Sequence, residues 1–118
     1  MEAGSETQDQ DVSRGASGVC PYFHAAIELI GKRWTGAILS SLTDGPLRFG
    51  ELAKAIPGLS DRLLSQRLRE LENEGLVERT VEPGTPVKVT YALTAKGADL
   101  RPAICELREW ANRWHETT

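Results

Sequence analysis

The sequence predicts a mainly α domain carrying one small β-hairpin, an α+β arrangement in the order helix, helix, helix, helix, hairpin, helix. Three observations predict it. Apolar residues recur at helical spacing through four consecutive segments between residues 21 and 74. The pattern then shifts to alternation on both sides of Pro83-Gly84-Thr85-Pro86. Helical spacing returns after Thr94 and runs to residue 115.

Residues 1–18 read MEAGSETQDQDVSRGASG, rich in Ser, Gly, Gln and acids. Too little apolar surface is present there to offset the entropy of ordering, so a disordered tail is expected, followed by one domain over 19–118. Pro21 suits the first turn of a helix, where its missing N–H is not needed. Phe23, Ile27 and Ile30 continue helix 1, which is expected to end at Gly31. Helix 2 starts near Trp34, with Trp34, Ile38, Leu39 and Leu42 on one stripe, and Asp44-Gly45-Pro46 stops it. Helix 3 buries Phe49, Leu52, Ala53 and Ile56 before Pro57-Gly58 breaks it. Ser60 is a good N-cap and Asp61 suits the positive end of the helix dipole. Helix 4 is expected to run to Glu74, with Gly75 and Leu76 forming a Schellman close. Residues 76–82 and 88–93 favour strand, since Val, Thr and Tyr are enriched. Thr94 caps one last helix, 95–115, whose Leu100, Ile104, Leu107, Ala111 and Trp114 keep helical spacing.

Charge narrows the function classes. The net charge is −3, from 14 basic and 17 acidic residues. Residues 1–18 carry all of that excess, so residues 19–118 hold 13 charges of each sign. A neutral domain lacks the strongly basic balance of many nucleic-acid binders, so the placement of charge must decide. Two cysteines in 118 residues do not build a disulfide framework. No run of about 18 apolar residues is present, so no membrane partner is expected. No basic segment followed by an apolar stretch opens the chain, so no secretory signal is expected either. A cytoplasmic protein with reduced thiols follows.

Helices 3 and 4 with their short turn make a helix-turn-helix, and the hairpin is its wing. At 100° per residue, with Leu64 at 0°, Leu68 and Leu71 fall within about 40° of it. The opposite pole carries Arg62, Ser65, Gln66 and Arg69, with Ser60 at the start of the helix. Arg and Gln read guanine and adenine edges bidentately, and a recognition helix uses its N-terminal half for that purpose. Arg79 and Lys88 flank the hairpin tip. Lys96 sits in the first turn of the last helix, where a cation opposes the helix dipole and an anionic partner is expected. Lys32-Arg33 opens helix 2 as a second basic patch. Double-stranded DNA is the partner these placements suggest. Solubility alone also gives a helix a polar outer face, and a winged helix can serve protein–protein assembly instead.

At these residues the chain resembles the HxlR family of bacterial winged helix-turn-helix transcription regulators, relatives of the MarR group. The matching pieces begin with Cys20-Pro21 and Gly31-Lys32-Arg33-Trp34-Thr35, where the family usually has Gly-Gly-Lys-Trp-Thr, followed by Ile38-Leu39. They continue through Arg48-Phe49, Glu51-Leu52, the run LSQRLREL from Leu64 to Leu71, and Gly75-Leu76-Val77 with Arg79. Tyr91-Ala92-Leu93-Thr94 and Lys96-Gly97 complete them. The resemblance covers about residues 19–115. It implies DNA binding by a homodimer on a two-fold operator, dimerisation through the terminal helices, and response to oxidants, electrophiles or small molecules. Arg48 joins the expected backbone contacts, and repression is the expected outcome.

The last helix carries too much apolar surface for one stripe: Leu100, Ile104, Leu107, Trp110 and Trp114 are expected at a dimer interface, with Tyr22, Phe23 and Ile27 of helix 1 beside them. Cys20 lies just before a helix N-terminus, where the dipole and nearby Lys32 or Arg33 favour a thiolate. In redox-sensing members of the resembled family a cysteine at this place is the sensor; the competing reading is a buried packing thiol. Cys105 is expected in the core. Cys20 and His24 are four apart, but no third orienting residue, oxyanion loop or phosphate loop accompanies them. With Cys105 and His115 they lack the compact paired spacing of a zinc finger. No catalytic residue, metal or other cofactor is therefore expected, and a thiol-dependent enzyme at Cys20 is the remaining alternative.

Overall fold

The computed structural model describes residues 20–115, so the expected tail over 1–18 lies outside the described residues. Two compact units divide the chain between Arg33 and Trp34.

The described part of the first unit holds α1, Pro21–Ile30. Cys20 is its extended N-cap and Pro21 opens the helix, as the missing proline N–H permits. Gly31 is the C-cap, its N–H donating to Ile27 O at 2.8 Å. No residue of α1 is buried.

The second unit carries α2 (Thr35–Leu42), β1 (Leu47–Arg48), α3 (Phe49–Ala55), α4 (Asp61–Asn73), β2 (Val77–Glu82), β3 (Lys88–Leu93), α5 (Ala95–Ala98) and α6 (Arg101–His115). Its core gathers Ile38, Leu39 and Leu42 from α2, Leu52 from α3, and Leu64, Leu68 and Leu71 from α4, all buried. These are the residues that helical spacing placed on inner stripes. Ile56 is buried but lies beyond the end of α3, with φ −125° and ψ 81°. The turn therefore runs over Ile56–Ser60, one residue longer than the spacing suggested.

Trp34 is not on the helical stripe. It is the N-cap of α2 in the left-handed region, φ 78°, a conformation that costs a bulky residue roughly 1–3 kcal/mol. From there its indole reaches the helix-turn-helix turn: a Cβ on Gly58 would stand 3.6 Å from Trp34 Cη2.

The sheet has three antiparallel strands in the order β1-β3-β2, where a two-stranded wing was expected. Leu47 pairs with Tyr91 and Arg48 with Thr90 on one side of β3. On the other side Val77 faces Leu93 and Glu82 faces Lys88. Since opposed residues share a face and neighbours alternate, Leu47, Tyr91, Val77 and Leu93 form the inner face.

The single last helix is two. Pro102 has no N–H to give Ala98 O, and its ring crowds that carbonyl, so the helical ladder breaks there. Leu100 N–H turns instead to Gly97 O, and Ile104 N–H to Leu100 O restarts the helix. Toward α2, α6 makes polar contacts: Arg101 Nε donates to Thr43 O at 2.9 Å and Arg108 Nη1 to Ser40 Oγ at 3.0 Å. No helix among the described residues is long and apolar enough to cross a membrane.

Candidate nucleic-acid interface

The interface is built on α4. Ser60 Oγ accepts from Leu63 N–H at 3.1 Å, closing the first turn. At the other end Leu76 N–H donates to Leu71 O and Gly75 N–H to Glu72 O, each at 2.9 Å, with Gly75 at φ 78°. That is a Schellman close, in which a left-handed residue satisfies the last carbonyls. The leucine stripe is buried, so the opposite face is turned outward. Ser60, Arg62, Gln66 and Arg69 are exposed on it, and Ser65 is half-buried.

Those side chains are partly occupied with one another. Arg69 Nη1 donates to Ser65 Oγ at 3.2 Å. Gln66 Nε2 donates to Glu70 Oε2 at 3.4 Å, and Arg67 Nη1 pairs with the same carboxylate at 3.2 Å. Glu70 thus holds two neighbours one turn away, a role legible in the i+4 and i+3 spacing but not drawn from it. Arg62 has no hydrogen-bond or ion-pair partner among the described residues.

The wing distributes its cations over both faces. Arg79 is opposite Tyr91, whereas Lys88 is opposite Glu82 and two residues from Thr90. Arg48, opposite Thr90, shares the face of Lys88. All three are exposed. Arg48 also starts α3, where its backbone N–H donates to Glu51 Oε1 at 2.7 Å. Lys32 and Arg33 are exposed and belong to the first unit.

Lys96 is exposed and has a partner inside the chain. Its position in the first turn of α5 was the reason to expect an anion beside it. The ammonium instead donates to Glu74 O at 2.7 Å, the carboxyl end of α4, where a cation is favoured by the dipole of that helix. The opposed dipole at α5 is answered inside the chain.

A Ser-capped helix docked through leucines, a turn held at Gly58 and a wing behind it are the parts of a winged helix-turn-helix. Residues 29–118 match the HxlR-like helix-turn-helix family. The chain belongs to that family. Among HxlR-like proteins it is similar to the uncharacterized HTH-type transcriptional regulator YvaP of Bacillus subtilis, 47% identical over 98 residues, which are 83% of this chain and 91% of YvaP. It is 47% identical to the HTH-type transcriptional regulator YodB of the same organism over 83% of this chain and 88% of YodB. The reduced form of YodB superposes with a TM-score of 0.73 over 85% of this chain and 98% of that one, at 46% identity. Diamide-treated and quinone-bound forms of YodB superpose with a TM-score of 0.69 each. The redox regulator HypR in its reduced form gives 0.77 at 33% identity, over 81% of this chain and 95% of HypR. This HxlR-like chain is a helix-turn-helix transcriptional regulator, and DNA is the partner its motif serves.

Leu107, Trp110 and Trp114 lie on α6 with half or more of their surface exposed, at 64%, 55% and 53%. Leu100 and Ile104 are half-buried. Tyr22, Phe23 and Ile27 are exposed on α1. Cys20 and Cys105 are free thiols, both half-buried. Cys105 is thus not a core residue; its Sγ receives Arg108 Nη2 at 3.4 Å.

Proposed function

We propose that the chain is a homodimeric, sequence-specific DNA-binding repressor that works in the cytoplasm and releases a pseudo-palindromic operator when Cys20 is modified. The observation that carries the reading is α4: a capped helix fixed by buried Leu64, Leu68 and Leu71 that turns Arg62, Gln66 and Arg69 outward. Arg62 is the leading base reader, because no hydrogen bond or ion pair among the described residues must be broken to extend it. Gln66 and Arg69 exchange Glu70 and Ser65 for base edges in the major groove. Ser60 and Ser65 complete that surface. Arg48 and Lys88, on one face of the wing, with Arg79, Lys32 and Arg33, supply phosphate contacts. The reading contains no catalytic step.

Dimerisation rests on Leu107, Trp110 and Trp114, three large apolar side chains on one side of α6. Burying such side chains is worth about 1.5–3 kcal/mol each, and single solvated surfaces rarely carry three together. Leu100 and Ile104 extend that side, and Tyr22, Phe23 and Ile27, exposed on α1, are a separate apolar group assigned to the dimer contact. A two-fold dimer sets its recognition helices about 34 Å apart, one turn of DNA.

The proposed response to oxidants and electrophiles is supported by the solved forms of YodB and HypR together with the position of Cys20 at the N-cap of α1. Addition of the Cys20 thiol to a quinone forms one S–C bond, and the thiol proton ends on the reduced ring. Diamide takes two electrons and two protons from two thiols, so a disulfide needs a second Cys20 or a Cys105 across the dimer, with Cα atoms within about 7 Å. The test titrates duplex from upstream of the gene before and after diamide or a quinone, for wild type and Cys20→Ser. Loss of binding in wild type alone is expected. Equal inhibition of Cys20→Ser assigns the effector to a pocket and removes Cys20 from the mechanism.

A further inference from the structure

Three consecutive carbonyls, of the α4 C-cap Glu74 and the two residues after it, are each taken by the start of the next helix. Lys96 Nζ donates to Glu74 O at 2.7 Å. Thr94 Oγ1 donates to Gly75 O, and Thr94 N–H donates to Leu76 O at 3.0 Å. The Thr94 hydroxyl is also an acceptor, receiving Gly97 N–H at 3.1 Å. Gly97 lies so close beneath that a Cβ there would stand 2.1 Å from Leu76 O. A C-cap carbonyl such as that of Glu74 has no partner within its helix. Here they are bound to a segment that continues through Leu100 into α6, which Arg101 and Arg108 fasten to α2.

We propose that Lys96 and Thr94 are positioning residues for DNA recognition: they clamp the carboxyl end of α4 to the start of α5 and thereby fix the angle at which Arg62, Gln66 and Arg69 are presented. This rests on α4 being the recognition helix. The buried leucines hold α4 against the core, but a row of apolar contacts leaves tilt along the helix weakly specified; directional hydrogen bonds at its end specify it. The clamp differs from a phosphate contact in what it does to salt dependence. A lysine that neutralises a phosphate contributes about 0.9 to the slope of log affinity against log salt, whereas a lysine bound to a backbone carbonyl contributes nothing to it.

The experiment uses the full chain and a duplex selected by the wild type from a random library, with a scrambled duplex as control. Lys96→Met, Lys96→Arg and Thr94→Val are titrated at several salt concentrations, and urea midpoints confirm that each variant is folded. Lys96→Met removes the donor. If the competent orientation of α4 then falls to about one molecule in ten, the selected duplex binds about tenfold more weakly. The salt slope stays at the wild-type value, and the scrambled duplex changes by less than about twofold, because phosphate contacts tolerate tilt. Lys96→Arg, which keeps a cationic donor, binds like wild type. Thr94→Val moves in the same direction as Lys96→Met. A slope reduced by about one unit, with both duplexes weakened equally, makes Lys96 a phosphate contact and overturns the proposal. Unchanged affinity of Lys96→Met and Thr94→Val for the selected duplex overturns it as well. A wild type that selects no preferred duplex refutes the recognition-helix reading itself, and is told apart because the variants are then not at issue.

Discussion

Gly97→Ala is the sharpest perturbation that the structure offers. Gly97 is buried in α5, where α-helical geometry alone would favour alanine by about 1 kcal/mol. The added methyl, however, would stand 2.1 Å from Leu76 O, 3.1 Å from Leu76 C and 3.3 Å from Leu93 Cδ2. A carbon and an oxygen do not approach that closely, and the obstacle is backbone at the junction of α4 and β2. Forced displacement in a packed site costs about 1–3 kcal/mol. Moving Leu76 O also strains its bond from Thr94 N–H, worth about 1 kcal/mol. After the helix-propensity gain is set against these, a net loss of about 1–3 kcal/mol remains. For a domain near 100 residues each kcal/mol lowers Tm by about 4–8 °C, so a fall of at least about 4 °C is expected. Gly50→Ala is the internal control. It is exposed in α3 with nothing within 4 Å of the new Cβ, so it should stabilise by about 0.5–1 kcal/mol. Urea and thermal unfolding followed by circular dichroism measure both. If Gly97→Ala unfolds within about 0.5 kcal/mol of wild type, the close approach of α5 to Leu76 is wrong, and the clamp with it.

Arg62→Ala should lose about 1–3 kcal/mol at particular operator positions and relax specificity there, whereas Lys88→Ala should weaken all duplexes alike and flatten the salt slope by about one unit. Titration of operator and random duplex at several salt concentrations separates them, and the reverse pattern would refute α4 as the groove-reading helix. Leu107→Glu should yield folded monomers with reduced operator affinity, because Leu107 is exposed in the single chain; sedimentation decides, and a wild type that is monomeric at micromolar concentration removes the claim. Ser60→Ala should cost about 1 kcal/mol through loss of the bond from Leu63 N–H, read as a lowered urea midpoint, and an unchanged midpoint would contradict the cap.

Much of the site was legible because its determinants are local. The outward face of α4 follows from the positions of Leu64, Leu68 and Leu71, since burying one stripe of a helix exposes the opposite one. Ser60 and the Gly75-Leu76 close were legible for the same reason: a cap involves residues within one turn of each other. The break between α5 and α6 was encoded in Pro102, yet apolar spacing continues across it and masked the interruption.

What the sequence by itself determined is the order of the helices up to the wing, the helix-turn-helix and the outward polar face of α4, because hydrophobic periodicity and capping act over a few residues. Tertiary structure alone decided the contacts made at long separation along the chain. Leu47–Arg48 is a strand only because β3, more than forty residues later, offers it an open edge; two residues carry no alternating pattern of their own. The left-handed Trp34, whose indole lies beside Gly58, has no signal in the local sequence. Lys96 is the clearest case. Read along the chain it is a cation in the first turn of a long last helix, where it opposes the dipole; in the fold it meets Glu74 O, a carbonyl 22 residues earlier. A charge seeks the nearest opposite charge in space, and sequence gives its distance along the chain only.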